Sequence, residues 1–262
     1  MAYFPILTAP YCNGQTTIYN FAPNNWEKSE KSNQCLNLTY AYDGIWHNLL
    51  LDQIAYGNCK VVSRQDLEGL VPEEATPFLS LTKSALEKRS EELCNLITNK
   101  TNFPEYRSTL GLVSRYTKTS YQGEITPFPS KATMLTFSPF LQFGKDIENY
   151  VLIINLEKSP KKRAEEIEIY TAHTKALKKI QVIYNNQVNI ISLDDMGFND
   201  LDLPVIICRG MASIPIYFSV AGRGEFMSLE HTNPPASLVI LGNRFGVQNY
   251  LKNYWFSQCQ PL

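Results

Sequence analysis

The sequence predicts an α+β protein, mostly antiparallel β, in which an N-terminal helical and irregular region (1–108) precedes a C-terminal immunoglobulin-like β-sandwich (109–262) closed by a C-terminal helix. Three observations predict it. Two N-terminal segments space their apolar residues as helices do. Nine short runs of β-branched and aromatic residues follow residue 108, and no helix-length segment separates them.

In chain order, residues 1–42 read as irregular, with short extended pieces such as "TTIYNF" and a polar surface loop, "APNNWEKSEKSNQ". Over 43–56, Ile45, Trp46, Leu49, Leu50 and Ile54 lie at helical spacing, with Asp43 as N-cap and Gly57 just past the end. A second helix is expected from Thr76-Pro77 to about Ile97, where Leu79, Leu86, Leu93 and Ile97 form one stripe and "EKRSEE" faces water. Strands are expected at 109–116, 132–140, 149–157, 166–172, 179–185, 188–194, 203–209, 214–220 and 225–232. Parallel pairing would need long crossovers, so these neighbours pair antiparallel. "YNNQ" at 184–187 is expected to close a hairpin, because Asn tolerates positive φ. The segment 242–258 places Phe245, Gln248, Leu251 and Trp255 on one helical face. No internal sequence repeat is visible.

The bulk numbers exclude several function classes. At 262 residues and 44% hydrophobic the chain fills a sizeable core, so it is not disordered as a whole. With 24 basic against 25 acidic residues there is no global field for nucleic acid or an anionic membrane. No run approaches the ~20 apolar residues of a membrane span. "MAYFPILTAPYC" lacks the basic start of a signal peptide, and the six scattered cysteines read as reduced thiols, so a cytoplasmic protein is expected. The sequons at Asn37 and Asn99 matter only in a secreted chain.

Candidate chemistry centres on "FMSLEHT". On a regular strand Met227, Leu229 and His231 share one face and Glu230 the other, so Glu230 and His231 point apart. A metal site could use His47, His173 and His231, but none is spaced as ligands usually are. Cys208 sits among apolar residues, which disfavours its thiolate. "DDMGFNDLD" could hold calcium through Asp194, Asp195, Asp200 and Asp202, although EF-hand spacing is absent. No cofactor motif is present: "GNRFG" and "AGRGEF" lack both the spacing and the lysine of a phosphate loop.

The expectation is therefore a non-catalytic binding or assembly component, a complex subunit whose edge loops contact a protein or glycan partner. Aromatic Tyr121 and Phe128, in a proline-stiffened segment, and the rim residues Arg223 and Glu230 are the expected contacts. The alternative is a metal-dependent or acid–base enzyme with its site between the N-terminal region and the sandwich. There Glu230 or His231 would act and Arg209 or Arg223 would hold an anionic substrate.

Overall fold

A computed structural model describes residues 2–21, 32–93, 107–138, 141–231 and 244–259. Numbered in chain order, its strands form four small antiparallel sheets. The first runs β1 (Phe4–Pro5), β6 (Phe78–Thr82), β3 (Gln34–Tyr42), β4 (Ile45–Ile54), β7 (Arg89–Ser90). The second runs β5 (Cys59–Ser63), β2 (Asn13–Tyr19), β8 (Arg107–Val113), β9 (Lys118–Gln122). The third is β10 (Met134–Phe137), β15 (Pro204–Cys208), β12 (Ala164–Thr171), β13 (Leu177–Tyr184). The fourth is β14 (Val188–Ser192), β11 (Ile147–Ile154), β16 (Ile214–Ala221), β17 (Phe226–His231). Among the described residues one α-helix, α1 (Arg244–Gln258), completes the structure. The sheets are arranged as the blades of a four-bladed β-propeller.

This corrects the expected α+β architecture, its helical N-terminal region and its immunoglobulin-like β-sandwich. The N-terminal 43–56 segment is not a helix but strand β4. Tyr42 faces Ile45 across a two-residue loop, Asp43-Gly44, whose φ values of 50° and 72° are those of a tight primed hairpin turn. The helical spacing misled because both faces of the first sheet are covered. Leu36, Leu38 and Leu79 pack on one face, while Asn37, Thr39, Asn48 and Thr82 form a hydrogen-bonded layer on the other. Apolar residues therefore need not alternate along β4. The expected second helix is likewise replaced: β6 occupies its start, β7 follows, and 94–97 lie outside the described residues. Asn37 is fully buried, so its sequon presents no acceptor in the folded chain. Asn99 lies outside the described residues.

Beyond residue 108 a strand lies at each expected position, β9 adds one where none was expected, and the named strands all pair antiparallel, the isolated bridge between Phe128 and Glu157 being parallel. "YNNQ" does turn, with Asn186 at φ 57°, but it joins β13 and β14, which belong to different sheets. It is a crossover between blades, not a hairpin.

Two hydrophobic clusters hold the blades. One gathers the first two sheets with Leu152, Ile154, Ile216, Phe218 and Val220 of the fourth. The other lies between the third and fourth sheets, around Val151, Ile153, Ile167, Ile169, Ile206 and Tyr217. Successive residues of β11 and β16 enter different clusters, so the fourth sheet is buried on both faces, which is why its strands read as continuous apolar runs. Helix α1 covers the outer face of the third sheet through Trp255, Phe256 and Cys259. Leu251, expected on the packed face, is 47% exposed, and the side chains of Phe245 and Gln248 lie outside the described residues. No helix among the described residues is long and apolar enough to cross a membrane.

Candidate functional site

Where β11 begins and β14 ends, the loops 141–147 and 193–198 enclose a cleft of about 380 Å³ at the end of the second cluster. Leu141 and Leu193 form its buried floor, and Phe143 and Phe198 pack against that floor while remaining part-exposed. The polar wall is built from β11. Asn149 Nδ2 donates to Gln142 O at 3.0 Å, and Ser219 Oγ donates to Asn149 Oδ1 at 2.6 Å, which ties the 141–147 loop to the sheet. Asp194 Oδ1 accepts from the Asn149 backbone N–H at 3.0 Å, and its Oδ2 accepts from Ser192 Oγ at 3.3 Å. Asp195 is exposed and held at φ 64°, and Gly197 at φ 72° reverses the chain beside it. Lys178 reaches the Gly197 side of the rim, but no basic residue lines the cleft itself.

Such an arrangement offers apolar ring faces and carboxylate acceptors. It suits a ligand with an apolar stem and a cationic or hydrogen-bond-donating head. Among the described residues no group of three His, Cys, Asp or Glu side chains could hold a metal ion.

On the opposite face of β11, Glu148 accepts from Tyr11 Oη at 2.9 Å and also from Tyr150 Oη. Burial, reinforced by the bond to Glu148, pushes the Tyr150 hydroxyl well above the usual phenolic range. This contact fastens the turn before β2 to the fourth sheet.

The residues singled out from the sequence are scattered. Tyr121 is half-buried on β9, packs against the first cluster, and has its hydroxyl pushed up to about 12 by burial. Phe128 packs against the same cluster, and its backbone N–H donates to Leu156 O at 2.8 Å. Arg223 occupies the exposed β16–β17 turn at φ 55°. Glu230 is exposed opposite Tyr217, and His231 lies opposite Ile216. Tyr217 and Ile216 enter different clusters, so the strand register assigns Glu230 and His231 to opposite faces; the His231 side chain itself lies outside the described residues. His47 stacks on Tyr40 with ring centroids 5.2 Å apart in the first sheet. His173 sits in the β12–β13 turn, its backbone N–H bonded to Asp202 at 2.7 Å. The three histidines thus belong to three different sheets.

Arg209 grips the buried Glu168 carboxylate through two bonds, 2.9 and 3.2 Å. It also donates to the Phe256 and Cys259 carbonyls, so it docks α1. Cys208 is fully buried, and burial raises its thiol.

Sequence reasoning missed Phe143, Asn149 and Phe198. The available signal was the acidic loop carrying Asp194 and Asp195, read at most as a possible calcium holder; Phe198 lies in that same loop, whereas Phe143 and Asn149 lie some fifty residues earlier in the chain. No family model matches the chain, and no curated protein or solved structure matches it significantly.

Proposed function

We propose that the protein is a non-catalytic binding component that takes a protein partner at the cleft between loops 141–147 and 193–198. The observation that carries this reading is the pairing of part-exposed Phe143 and Phe198 with Asp194 and Asp195 around one recess. Aromatic rings supply contact area at low entropy cost, and carboxylates at the rim select a lysine- or arginine-bearing segment over an acidic one.

Affinity purification of the intact chain at native abundance tests this, run beside Asp195→Lys and Phe198→Ala. Each variant is expected to lose the partner by about tenfold or more, the scale of a hot-spot truncation. Equal recovery by all three proteins, with melting temperatures unchanged, removes the cleft from consideration. Tyr121 and Phe128 serve as contrast. Both pack against the first cluster, so Phe128→Ala should cost about 2–3 kcal/mol of stability. A Phe128→Ala protein of unaltered melting temperature that loses the partner would move the binding surface to that segment.

A further inference from the structure

We infer that the chain is a structural duplication, in which residues 4–122 and 134–231 are two copies of one unit of two interleaved sheets. Reading along the chain, β1, β2, β3, β4, β5, β6, β8 and β9 correspond in order to β10 through β17, and among the described strands only β7 has no counterpart. The first sheet's order β1-β6-β3-β4 is then the third sheet's β10-β15-β12-β13. The second sheet's β5-β2-β8-β9 is the fourth's β14-β11-β16-β17. In each copy the chain changes sheet at the same steps.

The correspondence extends to single hydrogen bonds. After β5 the Arg64 N–H donates to Gly14 O at 2.9 Å; after β14 the Leu193 N–H donates to Asn149 O at 2.8 Å. At the far end, Asn20 N–H donates to Asn58 O at 3.0 Å and Asn155 N–H to Gln187 O at 3.2 Å. These bonds, with the facing pairs Gln15↔Ser63 and Tyr150↔Ser192, set one consistent alignment of β2 with β11 and β5 with β14. Under it Ile18 falls on Ile153, Asn20 on Asn155 and Ser63 on Ser192. The first two pairs are buried in both copies.

The turn before the strand repeats as well. Cys12 N–H donates to Ala9 O and Ile147 N–H to Gly144 O, with the intervening Tyr11 at φ 64° and Asp146 at φ 66°. Two non-glycine residues at matching places in the left-handed region add to the correspondence, since that conformation is uncommon outside glycine. The copies touch where their closing hairpins meet, Ser114 Oγ donating to Gly224 O at 2.6 Å.

The alignment also shows divergence. The matched turn carries Tyr11 in the first copy, which reaches across to Glu148, and borders the cleft in the second. One copy uses it for internal docking and the other leaves it open. The duplication does not depend on the binding proposal.

Nuclear magnetic resonance on the perdeuterated, unaltered full chain tests it through couplings across hydrogen bonds and amide contacts between strands. The expected result is both members of each pair: Arg64 to Gly14 with Leu193 to Asn149, and Asn20 to Asn58 with Asn155 to Gln187. A register displaced by one residue in either copy, or one member present and its counterpart missing, overturns the duplication.

Discussion

Arg209 decides whether α1 stays on the third sheet, because one guanidinium holds both the Glu168 carboxylate and the Phe256 and Cys259 carbonyls. Glu168 has a side chain only 11% exposed, so removing its partner strands a buried charge. Arg209→Met should therefore destabilise the protein by about 2–3 kcal/mol, at the low end for a broken buried pair because Arg209 itself is part-exposed. Adding Glu168→Gln should recover much of that loss, and denaturant melts of the two single variants and the double variant measure the coupling. Cys12 offers a second residue-scale prediction. Burial raises its thiol to about 11 from an ordinary value of 9.0, whereas Cys59 is exposed. The folded thiol keeps its proton while that of an unfolded chain ionises, so its contribution to stability is full below pH 9 and is lost as pH rises towards about 11. Iodoacetamide at pH 8, followed by mass spectrometry, should label Cys59 well before Cys12. Equal labelling would contradict the buried setting.

At the scale of elements, the β3–β4 hairpin turns on Gly44. Its φ of 72° suits glycine, and a β-branched residue there is strained, so Gly44→Val should cost about 1–3 kcal/mol. A fall in melting temperature of several degrees checks this, and an unchanged value would mean the turn has another conformation. The same turn explains how the N-terminal half was misread. Asp43 suits a helix N-cap and also a primed turn, and Ile45, Trp46 and Leu49 fit a helical period as well as a strand covered on both faces. Local sequence could not choose between them. Most strands after residue 108 were legible because their β-branched runs are short and bounded by turn residues; β9, which carries Tyr121, was not, since its run is polar and leads into a proline-rich stretch. Their partners were not, as the crossover at Asn186 shows.

Across the whole molecule, the fourth sheet contributes Phe218 to one cluster and Tyr217 to the other, which couples the two copies through a single layer. The protein should then unfold in one transition despite its repeated architecture. Far-UV circular dichroism and tryptophan fluorescence, with Trp46 buried in the first half and Trp255 on α1, should share one midpoint. Two separated midpoints would mean that the copies melt independently. The residue order by itself determined where most strands of the second half lie and that the chain turns between them, since burial alternation and turn chemistry act over a few residues. Only the tertiary structure decided that β4 is a strand, which strands share a sheet, that two halves repeat one plan, and that Phe143 meets Asp194 at a cleft. Those outcomes depend on hydrogen-bond partners and apolar faces supplied by residues far along the chain, whose pairing no local pattern specifies.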